Sequence, residues 1–83
     1  MLFAAKCFWP GVAPSEVELV GSRVSAADDG YQGALVFAGD NLVLCLFEAS
    51  SPAAVRSACE RAGAPWERVM AAVWLAPMIN ENP

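Results

Sequence analysis

The sequence predicts an α+β chain of the ferredoxin-like type: a β-α-β-β-α-β sandwich with a four-stranded antiparallel sheet and two helices on one face. Three observations point there. Four apolar runs of strand length occur in the order strand, helix, strand, strand, helix, strand. The middle two runs are separated only by Gly39-Asp40-Asn41, a hairpin-length turn. The two longer connections each carry a helix-start signal followed by apolar residues at helical spacing. Two split β-α-β units sharing a central hairpin make this sandwich. Right-handed crossovers then put the first and third strands in the middle of the sheet.

The elements follow in order. Leu2 to Trp9 (LFAAKCFW) is a first strand stopped by Pro10-Gly11. Ser15 with Glu18 three residues later reads as a capping box. Val17, Val20, Val24 and Ala27 then form one apolar stripe, closed by the turn Asp28-Asp29-Gly30. Gly21 weakens this helix by about 1 kcal/mol relative to Ala, so it depends on packing. Tyr31 to Ala38 and Leu42 to Glu48 are the hairpin strands. Ser50-Ser51-Pro52 supplies an N-cap and a first-turn proline. Val55, Ala58, Cys59 and Ala62 recur at i, i+3, i+4 and i+7, Gly63 sits at the C-terminal cap, and Pro65 blocks continuation. Val69 to Leu75 is expected as the fourth strand, ended by Pro77. Residues 1–77 thus form one domain, with 78–83 as a tail that frays.

Composition limits the chemistry. The 83 residues are 57% apolar and 17% charged, with a net charge of −4. The five cations (Lys6, Arg23, Arg56, Arg61 and Arg68) are scattered, whereas nucleic-acid and anionic-membrane surfaces need clusters. No nucleic-acid or membrane partner is expected. The longest charge-free run, Val69 to Asn80, has 12 residues, short of the roughly 18 that span a bilayer. The chain has no histidine, which removes Ser-His-Asp and Cys-His catalysis and imidazole metal sites. Cys7, Cys45 and Cys59 are odd in number and lack a C-x-x-C spacing, which fits inert core thiols in a reduced, cytoplasmic setting. No metal and no cofactor is expected.

The strands do not alternate apolar with polar as a sheet with one wet face should. Leu42-Val43-Leu44-Cys45-Leu46-Phe47 is apolar on both sides, and only Lys6 breaks the first strand. Two helices cover one face, so the other needs a cover. A second copy is the simplest, because an isologous contact needs no other gene product. A homodimer, or a higher homo-oligomer, is therefore expected, with room for a small hydrophobic molecule between its layers.

Phe8, Trp9, Tyr31, Trp66 and Trp74 are the candidate ligand-binding aromatics, as walls of a pocket for a flat molecule, with Glu48 as a pocket acid. The alternative for the aromatics is sealing of layer edges. For Glu48 it is a contact with Lys6 on the neighbouring strand, or water.

Cys45-Leu46-Phe47-Glu48-Ala49, Ala54-Val55-Arg56, and Glu60-Arg61-Ala62-Gly63 with Pro65 resemble a family of small bacterial ferredoxin-like proteins, mostly of unknown function, that includes a nickel-binding, nickel-responsive member. The likeness runs from about Leu42 to Leu75. It implies a dimeric ferredoxin-like fold. Metal binding does not carry over, because metal-competent relatives commonly hold a histidine where this chain has Cys59. The resulting expectation is a non-catalytic dimeric module that binds a small hydrophobic ligand or a protein partner. One alternative is a cofactor-independent cyclase, isomerase or oxygenase acting on an aromatic substrate, with Glu48 as acid/base; another is a structural assembly subunit.

Overall fold

The computed structural model describes residues 1–28 and 30–77; Asp29, the side chain of Ala27 and the tail expected at 78–83 lie outside the described residues. The chain folds as β1 (Leu2–Phe8), α1 (Pro14–Ala27), β2 (Tyr31–Phe37), a 3₁₀ turn (Ala38–Asp40), β3 (Leu42–Glu48), α2 (Pro52–Ala62) and β4 (Trp66–Ala72). The sheet is antiparallel throughout in the order β2-β3-β1-β4. This is the ferredoxin-like sandwich, with β1 and β3 central and β2 and β4 at the edges.

The core lies between sheet and helices. Phe3, Ala5 and Cys7 of β1 and Val43, Cys45 and Phe47 of β3 point into it, at alternate positions as the pleat requires. Val17 and Val24 of α1 and Val55, Ala58, Cys59 and Ala62 of α2 close over them. Phe47 is fully buried and its ring lies 5.4 Å from that of Tyr31, tilted by 58°, a favourable aromatic geometry.

Local chemistry sets most boundaries. α2 starts as expected: Ser51 Oγ accepts the Ala54 N–H at 3.2 Å ahead of Pro52, and Gly63 caps the end in the left-handed region at φ 74°. α1 starts two residues earlier than the Ser15/Glu18 reading. Pro14 occupies the first turn, Ala13 is the N-cap, and Glu16 Oε1 accepts the Ala13 N–H at 3.1 Å. Ala13 has no side-chain acceptor, so only the reciprocal half of a capping box forms. Proline fixes φ at a helical value and lacks the N–H that a first turn leaves orphaned; this outweighs the serine. Asp28 Oδ1 accepts the Gly30 N–H at 2.8 Å in the turn into β2. Glycine is required there by close approach: a Cβ on Gly30 would sit 2.0 Å from the Glu48 carbonyl oxygen.

The fourth strand is the largest displacement. It runs Trp66–Ala72 rather than Val69 to Leu75. Pairing with β1 sets its position, with Leu2 opposite Ala72 and Lys6 opposite Arg68, and a bulge next to Cys7. Ala72 occupies the last rung beside β1, so Val73, Trp74 and Leu75 fall beyond the sheet. Smaller shifts end β1 at Phe8 and β2 at Phe37.

Candidate functional site

The face of the sheet away from the helices is built by the second half of each strand's alternation. β1 contributes Leu2, Ala4, Lys6 and Phe8, and β3 contributes Leu42, Leu44 and Leu46. Leu35 and Phe37 of β2 stand beside Leu44 and Leu42, and Met70 and Ala72 of β4 flank Ala4 and Leu2. Phe8, Leu35 and Phe37 are exposed, while Ala4 lies low between Leu46 and Met70 and is only 6% exposed. Lys6 and Arg68, opposite one another, are the cations of this surface. Two like charges in register repel. The bulge brings Glu67 to their aid, with its carboxylate 3.7 Å from Lys6 Nζ. The open face is thus largely apolar, as the lack of alternation implies, with Lys6 and Arg68 on β1 and β4 and Glu48 at the end of β3 as its charged positions.

A second feature lies on the helix side. α1 crosses above β2 and leaves an open groove of about 720 Å³. Its floor is Val17, Tyr31, Ala34 and Val36; Glu18, Ser22 and Ser25 of α1 stand along its rim. Gly21 permits the approach of helix and strand, since a Cβ there would come within 3.1 Å of Tyr31 Oη. Burial, with a smaller contribution from the neighbouring thiols, pushes the Tyr31 hydroxyl up to about 12, so it is a neutral donor at physiological pH.

The aromatics proposed from sequence do not converge within one chain. Phe8, Trp9 and Trp66 sit at one end of the sheet, where Cys7 pairs with Trp66 and Phe8 with Leu42. Tyr31 and Glu48 lie at the other end, about 20 Å away at roughly 3.3 Å per residue, beside the Leu2–Ala72 rung from which Trp74 departs. Trp9 and Trp66 pack against the core from its edge, the sealing alternative. Phe8 belongs to the open face, and Trp74 is exposed. Glu48 is also exposed; it pairs with the terminal amine of Met1, whose N–H groups donate to Glu48 Oε1 and, at 3.1 Å, to the Ala49 carbonyl. Lys6 meets Glu67 instead of Glu48, so of the two alternatives for Glu48 the contact with Lys6 does not form and the exposed position holds. Sequence reasoning missed the groove residues Glu18, Ser22 and Ser25. Their signal was the polar side of a helix whose apolar stripe is only three or four residues long.

The three cysteines are free and buried. The hydrogen bond with Cys45 and burial hold Cys7 well above the usual thiol range, and burial pushes Cys59 up to about 12. The hydrogen bond with Cys7 draws Cys45 down while burial opposes it. Among the described residues no group of three or more His, Cys, Asp or Glu is arranged to hold a metal ion. No helix among them is long and apolar enough to cross a membrane.

No family model and no curated protein matches the chain. Among solved structures it is similar to SCO4226 from Streptomyces coelicolor A3(2), known from crystal structure analysis. The similarity has a TM-score of 0.80 at 20% sequence identity and covers 92% of this chain and 100% of that one. At this identity the likeness establishes the ferredoxin-like fold.

Proposed function

We propose that this chain is a cytoplasmic, non-catalytic binding module that works as a homodimer joined through its open sheet faces and takes a small hydrophobic ligand. The observation that carries the reading is the open face itself. Leu2, Leu35, Phe37, Leu42, Leu44, Leu46 and Met70 form one apolar surface across four strands, of the size that marks an interaction site rather than scattered surface residues. Packing one such face on another satisfies both copies at once.

The groove between α1 and β2 supports the ligand half of the proposal. Its volume of about 720 Å³ falls in the range of small-molecule sites, and an apolar floor with a few polar rim groups is their usual chemistry. Tyr31 offers a ring face, and its hydroxyl a single donor. Glu48 is exposed, outside the kind of closed site in which a general acid works, which supports binding over proton transfer. The resemblance of residues 42–75 to a small bacterial ferredoxin-like family agrees with the same reading.

Native mass spectrometry of the full chain tests the assembly: two chains are expected, and a monomer at micromolar concentration refutes it. Titration with the aromatic probe 1-anilinonaphthalene-8-sulfonate tests the groove. Ser25→Trp, which fills it from an exposed position on α1, is expected to abolish saturable probe binding; unchanged binding rules the groove out.

A further inference from the structure

Val73–Pro77 leaves the sheet with no strand partner among the described residues, and we propose that this segment is an arm laid along the β2 edge of a second copy. The proposal rests on the dimeric reading above and adds the residues that complete the interface.

The arm is defined by what it lacks. β1 and β4 pair only as far as the Leu2–Ala72 rung, and from Val73 to Pro77 the chain carries neither helix nor strand. Val73, Trp74 and Leu75 are 77%, 80% and 82% exposed, more than any other large apolar side chain among the described residues.

The β2 edge is defined the same way. Among the described residues it pairs with β3 alone, so its outer side has no strand neighbour among them. Edges are normally protected from association by charge, proline or a cover. β2 reads YQGALVF, with no charged residue and no proline, and the α1 groove lies open beside it. The arm, Val-Trp-Leu-Ala-Pro, is likewise uncharged. Each chain carries a net charge of −4, so two copies approach most readily along strips that bear none.

Area argues for a second copy. A stable interface buries about 800 Å² per partner. Four strands at about 4.8 Å and six residues at about 3.3 Å give the open face roughly 400 Å² in projection. Trp74 adds up to about 200 Å², and Val73 and Leu75 extend it further. The arm is also continuous with the face, because Ala72, from which it departs, belongs to both. In a two-fold dimer each copy gives one arm and receives one. An arm on β2 forms the outer wall of the partner's groove, bringing Trp74 of one chain towards Tyr31 of the other, two residues that a single chain places at the same end of the sheet but on opposite edges.

The experiment uses the full chain. Ala76→Cys is mixed with Gln32→Cys, and separately with Ala38→Cys; all three positions are exposed, and they probe both ends of the β2 edge. Mild oxidation is expected to give a mixed covalent dimer in at least one mixture, since a disulfide requires Cα atoms within about 7 Å. In parallel, Trp74→Ala is expected to weaken the dimer about 100-fold in sedimentation equilibrium, with an unchanged urea midpoint for the dissociated chain. A dimer that forms at wild-type affinity with Trp74→Ala and gives no mixed cross-link overturns the arm while leaving the face-to-face reading intact. A wild-type chain that is monomeric throughout overturns both.

Discussion

Leu35→Glu separates assembly from folding. Leu35 stands on the open face of β2 opposite Leu44, with leucines 42 and 46 on the diagonals, and is 51% exposed in the single chain. Complete burial of a leucine is worth about 1.5–3 kcal/mol, so about 1 kcal/mol per copy remains to be gained when the faces meet. A two-fold interface loses this twice, about 2 kcal/mol. Each glutamate also brings a carboxylate whose direct neighbour in its rung is Leu44, with the cations Lys6 and Arg68 of that rung two and three strands away, and burying an unpaired polar group costs at least about 1–3 kcal/mol. The sum, at least about 4 kcal/mol, raises the dimer Kd by about a thousandfold or more. The isolated fold, in which the position is half in water, loses only about 1 kcal/mol. Sedimentation equilibrium reads the first quantity, and urea unfolding of the dilute chain reads the second. A Leu35→Glu protein that dimerises at wild-type affinity refutes the argument, because an interface across this face cannot accommodate two such carboxylates without cost. A variant that fails to fold would instead place Leu35 in the core, contrary to its exposure.

Two further outcomes test the fold. Gly30→Ala forces a Cβ to within 2.0 Å of the Glu48 carbonyl, where the Glu48 N–H also donates to the Gly30 carbonyl at 2.8 Å. The end of the β2–β3 pair must shift, and a loss of about 2–4 kcal/mol in urea unfolding is expected; a change below about 0.5 kcal/mol contradicts the geometry. Cys59 and Tyr31 are both raised, from 9.0 and 10.0 to about 12. A group that prefers its proton in the folded state contributes stability that is fully present below its unfolded value and lost as pH rises through the folded one. The urea midpoint should therefore fall between pH 9 and 12, and fall less in Cys59→Ala over the lower part of that range; a flat profile refutes the burial of these groups.

Much of the fold was legible because its signals are local. The hairpin, the Ser51-Pro52 start of α2 and its Gly63 end depend on neighbours within a few residues, and each formed where expected. The α1 start was misplaced because two local signals competed and Pro14 prevailed over Ser15. The fourth strand was misplaced for a different reason. Val69 to Leu75 has stronger apolar character than Trp66-Glu67-Arg68, but its limits are set by β1, more than sixty residues away, through the bulge beside Lys6 and the final rung at Leu2. The same dependence on distant partners hid the site. Tyr31, Glu48 and Trp74 gather at one end of the sheet and Phe8, Trp9 and Trp66 at the other, a division that only the strand register reveals.

By itself the amino-acid order determined that the β-layer would be apolar on both sides, because successive side chains of a strand point to opposite faces whatever the strand pairs with. It also determined, through the absence of histidine, which chemistries are closed to the chain. Only the tertiary structure decided which leucines lie open, where α1 stands away from β2, and that Trp74 falls outside the sheet. Those outcomes come from registers and helix placement, which are settled by contacts between residues far apart in the chain.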